Sequence, residues 1–318
     1  MQQSPLPLAA NIQYVEAVAR HLFPSGDIQV ARVLSGISTY VYSIVTDHQT
    51  YYLRVLPEEG ASFAPEVAAL ACLRKHNLNV PEVIHYEAYN QTLERSIMVE
   101  TEIKGQALSK SSLAGSDFES IAREAGRELA RLNALPVEGF GWIESGPELS
   151  RQLGARWPTY RAFALASREA DLAYLRQHVL PPQVCVDLER VLSRYDFWLD
   201  VDQGYLAHGD FDTTHVFQDQ GRYTGIIDFG EVRGTNRWYD LAHFRIRDGA
   251  HPSYRVFSAL ECGYAEIVPF PADYDLHLRF TSVLINLRAL SRAFQTRLPD
   301  GYIWRQLDTL REDLKILG

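Results

Sequence analysis

Cysteine, long apolar runs and excess positive charge are all scarce in this 318-residue chain. The three cysteines, Cys72, Cys185 and Cys262, are odd in number, far apart and without CxxC spacing. That excludes a disulfide framework and a zinc ribbon and suits a reducing compartment; each is expected to be a small buried hydrophobe. No apolar run approaches the roughly 18 residues of a membrane span, so no membrane partner is expected. The first residues, MQQSPLPLAANIQ, have neither a basic start nor an apolar core, so no secretory signal is expected and the cytoplasm is the expected location. Lys and Arg number 31 against 40 Asp and Glu, a net charge of -9, which speaks against nucleic acid as a partner and suits a soluble monomer or weak homodimer. What remains is ordinary: 46% hydrophobic and 22% charged residues mark a globular chain long enough for two domains.

Residues 11–23 place apolar side chains at helical spacing. Three β-rich runs follow, Ile28 to Leu34, Thr39 to Thr46 and Tyr51 to Leu56, separated by turn material, which predicts an antiparallel meander. Pro65 opens a predicted helix that ends near Asn77, and Val83 to Tyr89 and Ile97 to Thr101 supply two more strands. From Gly105 onward helical periodicity dominates, in SDFESIAREAGRELARLNAL, Pro182 to Leu199, Tyr254 to Glu266 and Asp273 to Arg297. In the last of these the apolar stripe is expected in the core and the arginines, Arg279 among them, in solvent. The expected fold class is therefore α+β, with a five-stranded antiparallel sheet plus a helix over residues 1–101 and a mainly helical part over 102–318. The stretch Phe140 to Leu149 is the expected flexible insertion.

Tyr205 to Tyr239 breaks the helical pattern. Two carboxylates, Asp210 and Asp228, each follow a short apolar run, and between them His215-Val216-Phe217 and Gly221-Arg222-Tyr223 suggest a hairpin turning at Gln218-Asp219-Gln220. Such a hairpin brings His215 and Asp228 to one end. One free carboxylate, one metal-facing carboxylate and one more donor are what Mg²⁺-assisted group transfer requires.

These residues resemble the aminoglycoside phosphotransferase family, whose catalytic loop reads H-G-D-x-x-x-x-N, followed by I-D-[FW]-[GS] and G-D-x-x-[YW]-D-L-[AG]. Here the three stand as His208-Gly209-Asp210 with His215, as Ile227-Asp228-Phe229-Gly230, and as Thr235-Asn236-Arg237-Trp238-Tyr239-Asp240-Leu241-Ala242. Thr235 and Asn236 depart from the family's Gly-Asp, and His215 replaces its asparagine. Macrolide phosphotransferases are similar in carrying histidine there and arginine in the third strand. The resemblance implies a bilobal protein-kinase-like fold, with residues 1–101 as a nucleotide-binding lobe and 102–318 as a catalytic and substrate-binding lobe. It implies ATP or GTP as cofactor with Mg²⁺ or Mn²⁺, Asp210 as catalytic base, and Asp228 with His215 as metal ligands. His208 and Asp240 would fix the loop. Arg54, in place of the family's lysine, would bind phosphate and pair with Glu66; Ser35, Gly36 and Ser38 would cover the phosphates, and Glu100 and Glu102 would offer backbone to the base.

Substrate choice is expected to lie in the C-terminal helices, with Asp212, Glu231, Asp248, Tyr254 and Glu261 as candidate contacts to a small hydroxylated molecule. Asp212 alternatively reads as a solvated loop residue. From Asp240 to Gly318 ten acidic residues balance ten basic ones, so no acidic cleft for a polycation is evident. Three readings stay open: an antibiotic phosphotransferase (aminoglycoside, hygromycin-like or macrolide), a kinase of an amino alcohol or sugar metabolite, and a nucleotide-binding regulator without turnover.

Overall fold

The computed structural model describes residues 11–34, 39–113, 115–144, 152–248 and 255–318. Ser35, Gly36, Ser38 and Tyr254 lie outside them. The chain divides into two units, Met1–Lys104 and Gly105–Gly318.

In the first unit, α1 (Ile12–Leu22) starts where the Asn11 side chain accepts the Gln13 N–H at 3.1 Å, the usual asparagine N-cap. Strands β1 (Gln29–Val33), β2 (Tyr40–Val45) and β3 (Thr50–Val55) form the expected meander. Next comes α2 (Ala64–Lys75), with Pro65 in its first turn and Asn77 at φ 59° just past its end, where a left-handed residue stops a helix. After β4 (Val83–Asn90), β5 (Arg95–Thr101) inserts between β3 and β4, giving the order β1-β2-β3-β5-β4. Alternate residues Tyr42 and Ile44, Leu53 and Val55, and Ile97 and Val99 are buried with Val15, Val18 and Ala19 of α1; the period of two puts them on one face.

The second unit holds more sheet than its sequence suggests. It runs β6 (Gln106–Ala107), α3 (Gly115–Leu132), β7 (Pro136–Val137), β8 (Phe140–Glu144), β9 (Gly154–Trp157), α4 (Tyr160–Leu165), α5 (Arg168–His178), α6 (Pro182–Arg194), a 3₁₀ turn (Asp196–Leu199) and β10 (Gly204–Ala207). It continues with β11 (Val216–Asp219), β12 (Arg222–Ile226), β13 (Arg233–Thr235), α7 (Tyr239–Arg247), α8 (Phe257–Ala265), α9 (Tyr274–Thr296) and α10 (Gly301–Leu317). Five strands pair in the order β7-β10-β13-β8-β9 and three as β12-β11-β6. Phe140–Glu144 is thus a paired strand, the rest of the expected insertion at 145–149 lies outside the described residues, and the helix expected from Pro182 to Leu199 gives way to a 3₁₀ turn after Arg194. The β11–β12 hairpin turns at Gln220 (φ 48°) and Gly221 (φ 78°), a two-residue turn of the type that matches strand twist, slightly later than expected.

A helical core gathers Leu188 and Val191 of α6, Phe280, Val283, Leu287 and Leu290 of α9, and Ile303, Leu307 and Leu310 of α10. The α9 stripe recurs every three or four residues, as a core-facing helix requires. Arg279 is not solvated as expected: it bonds Asp275 at 2.9 Å and the fully buried Asp313 at 3.0 Å, which Arg245 also grips at 2.6 Å. Two guanidiniums compensate that buried carboxylate. Of the cysteines only Cys185 is buried; Cys262 is exposed and Cys72 intermediate, and all three are free. No described helix is long and apolar enough to cross a membrane.

His277 of α9 stacks flat on Trp198, 4.8 Å between ring centroids, and burial pushes its imidazole down to about 4. An imidazole depressed in the fold is protonated first in the unfolded chain, so its contribution is complete above its ordinary value and declines as pH falls towards 4. Over that window the loss should reach about 2–3 kcal/mol. Urea unfolding at pH 7 and pH 4.5 should show it in the native chain and not in His277→Gln; equal pH slopes in the two would assign the loss elsewhere.

Candidate active site

Strand β10 delivers His208, Gly209 and Asp210 to the site, and the β11–β12 hairpin delivers His215 and Asp228. Val216 pairs with Ile226, and the Ile227 N–H donates to the His215 carbonyl at 3.0 Å, so His215 and Asp228 come side by side, with Nε2 to Oδ2 3.6 Å. Gly209 is at φ +89°, and a Cβ there would lie 1.9 Å from the Glu231 carbonyl oxygen; only glycine allows so close a crossing of two loops.

Asp240, at the start of α7, holds the first loop. Its Oδ2 accepts the His208 N–H at 2.8 Å and Asn133 Nδ2 at 2.8 Å, and its Oδ1 accepts the Gly209 N–H at 2.9 Å; the residue is fully buried. His208 ties the two loops together: Nε2 donates to the Ile227 carbonyl at 2.9 Å and Nδ1 accepts the Asp210 N–H at 3.3 Å. Burial, then His215 beside it, pushes the His208 imidazole down, so the ring acts as a neutral brace. His215 donates Nδ1–H to the Asp210 carbonyl at 2.7 Å, which leaves the Nε2 lone pair towards Asp228, the arrangement a metal-ligating imidazole needs. Asp228 is at φ +66°, a left-handed conformation uncommon outside glycine.

The Asp210 carboxylate is about one-third exposed, with His243 Nε2 and Arg247 Nη1 each 3.4 Å from Oδ1. His243 donates Nδ1–H to the Phe211 carbonyl at 3.1 Å, and burial, then Arg247, pushes its imidazole down. Both residues lie on α7, four apart, and were not singled out in the sequence; nor was Asn133. Asp212, rather than being solvated, is buried: Oδ1 accepts the Thr214 N–H at 2.7 Å and Oδ2 accepts from Arg247. Burial works to raise this carboxyl, but His215 and Arg247 hold it well below the usual carboxylate range.

Glu231 is bonded by Arg233 at 2.7 Å, and burial raises its carboxyl. Asp248 accepts the Val256 N–H at 2.9 Å and is likewise raised by burial, as is Glu261 on α8. In the first unit, Arg54 on β3 pairs with Glu66 of α2 and lies 3.8 Å from Glu100. The pair is buried, not at the surface. Glu102 accepts from the Tyr52 hydroxyl at 3.5 Å.

Among the described residues no group of three or more His, Cys, Asp and Glu is arranged to enclose a metal. The His215–Asp228 corner nevertheless fits a cation of the Mg²⁺ kind. Its 3.6 Å gap can be bridged by one ion with bonds of about 2.1 Å, and such ions take few protein ligands and complete their shell with water and phosphate oxygens.

A histidine and an aspartate side by side, next to a loop that presents a second, partly exposed aspartate, are side chains of the kind that phosphoryl-transfer enzymes use, in which positioning and charge do most of the work. Residues 29–265 match the model of the APH phosphotransferase enzyme family, and the chain belongs to that family. Hygromycin-B 4-O-kinase of Escherichia coli is 24% identical over 171 residues, covering 52% of this chain and 47% of that protein, so the match spans about half the relative's length. A crystal structure of aminoglycoside phosphotransferase APH(4)-Ia shares the fold, with a TM-score of 0.69 and 19% identity over 96% of this chain and 99% of that one. One of a thermostable mutant of that protein is a ternary complex with ADP and hygromycin B. A candidate fructosamine-3-kinase of Thermobifida fusca is similar to the same degree, with a TM-score of 0.66 and 19% identity over 95% and 98% of the two chains.

Proposed function

We propose that the protein transfers the γ-phosphate of ATP or GTP to a hydroxyl of an antibiotic of the aminoglycoside, hygromycin-like or macrolide kind. The observation that carries this reading is the meeting of Asp228 and His215 at 3.6 Å, next to a loop that presents Asp210. Asp210 accepts or orients the proton of the acceptor hydroxyl, aiming its oxygen at phosphorus. Asp240, through the His208 and Gly209 amides, and His208, through Ile227, keep that carboxylate in place. His215 and Asp228 hold the cation, which when bound neutralises phosphate charge. Residues 1–101 act as the nucleotide-binding lobe: Arg54, steadied by Glu66, contributes a permanent cation for phosphate, and Glu100 and Glu102 lie in the segment that offers backbone to the base.

A drug-susceptibility panel in a sensitive host tests the substrate class, comparing the native chain with Asp210→Ala. Protection by the native chain alone supports the antibiotic reading, and equal susceptibility to every drug removes it. A second reading, a kinase of a sugar or amino alcohol metabolite, draws on the balanced charge of the C-terminal part. Product formation with such acceptors would favour it. Nucleotide-dependent thermal stabilisation without any product would instead indicate a regulator.

His215→Asn should stay active, because an amide oxygen can take the place of the ring nitrogen, and its metal preference should move from Mn²⁺ towards Mg²⁺, the harder ion. Steady-state rates with each metal check this. A dead variant would give the imidazole another duty, such as its bond to the Asp210 carbonyl.

A further inference from the structure

We infer that Arg247 sets the charge of the acceptor: the hydroxyl that reaches Asp210 belongs to a neutral sugar or polyol face, with no ammonium group beside it. The inference rests on the phosphotransferase reading above and narrows its substrate. Three carboxylates near the loops or at the end of α7 are already engaged. Asp212 is taken by Thr214 and Arg247, Glu231 by Arg233, and Asp248 by the Val256 amide.

The Arg247 guanidinium is fixed from several sides. It bonds Asp212, donates Nε–H to the Tyr302 hydroxyl of α10 at 2.8 Å, and lies over that ring at 5.0 Å. Its Nη1 is 3.4 Å from Asp210 Oδ1, and its side chain is 28% exposed, so it is open to an arriving molecule. A hydroxyl bonded to Asp210 Oδ1 then lies within about 6 Å of the guanidinium, one hydrogen bond plus that separation. An ammonium on the neighbouring carbon would face this cation; the Asp210 carboxylate is shared between the hydroxyl and Arg247, and Asp212 is buried and bound to Arg247. Like charges at such range in a half-buried site repel appreciably. His243, on the same side of Asp210, offers no compensating negative charge.

The test uses paired acceptors in which acetylation removes the amine charge: hygromycin B against its fully N-acetylated form, and glucosamine against N-acetylglucosamine, each with Mg²⁺-ATP and Mg²⁺-GTP; Arg247→Gln separates the loss of charge from the added acetyl group. In the native chain kcat/KM should favour the acetylated member by about ten- to a hundredfold. Arg247→Gln should bring the ratio within about threefold, and Arg247→Lys, which keeps the charge, should keep the preference. The native ratio stands even if Arg247→Gln folds poorly. A native preference for the amine forms, or a ratio that Arg247→Gln leaves unmoved, overturns the inference while product formation leaves the kinase reading intact. Turnover of none of the four also counts against it, because the neutral members are acceptors it expects. Nucleotide-dependent product from other hydroxyl compounds then separates that failure from failure of the kinase reading itself.

Discussion

Asp210→Asn should lower turnover by about 10²- to 10⁴-fold, the usual worth of general-base help and hydroxyl positioning, with nucleotide affinity nearly unchanged. The amide keeps the size of the carboxyl, so the backbone bonds that define the loop, His208 and Gly209 to Asp240 and His215 to the Asp210 carbonyl, survive. What is lost is an anion able to receive or orient a proton. The variant leaves Asp228 and His215, the proposed cation ligands, unchanged, so thermal stabilisation by Mg²⁺-ATP should match that of the native chain. Single-turnover product formation and a nucleotide melting shift, measured on one preparation, check both halves. Turnover within tenfold of the native value would remove Asp210 from the reaction.

The second large effect belongs to a residue that touches Asp210 only through the loop backbone. Asp240→Ala should destabilise the fold by about 3–5 kcal/mol, since three buried donors lose their acceptor and each unsatisfied donor costs about 1–3 kcal/mol. The donors are the His208 and Gly209 amides and Asn133 Nδ2. Turnover should fall with it, because the same amides set where Asp210 points. Asp240→Asn, which keeps one acceptor oxygen, should lie between. Urea unfolding gives the stability term, and a loss below about 1 kcal/mol for Asp240→Ala would mean that the loop does not depend on this clamp.

How much of this could be read from the sequence depended on distance along the chain. The first unit was legible because its strands run five to eight residues, long enough for period-two burial to show. Strands β7, β9 and β13 run only two to four residues and owe their existence to partners far away, so alternation had nothing to act on. His215 and Asp228 were legible because one hairpin carries them, and His208 and Asp210 because they follow the short strand just before it. Asn133 carried no signal, as its partner Asp240 is 107 positions on. His243 and Arg247 did leave a trace: with Asp240 they form a polar stripe at positions i, i+3 and i+7 of a helix otherwise buried through Leu241, Ala242, Phe244 and Ile246. A charged face on a core helix needs partners, and here they are the loop amides for Asp240 and the loop carboxylates for His243 and Arg247.

The backbone at Asp228, with φ +66°, has a consequence for adaptability. A side chain there costs about 1–2 kcal/mol that glycine would not incur, and the fold tolerates it because neighbouring pairing fixes the hairpin end. Thermostabilising changes sought across this chain would therefore be drawn to a position that the proposed reaction needs, and on that reading selection for durability and selection for activity pull against each other at this one residue.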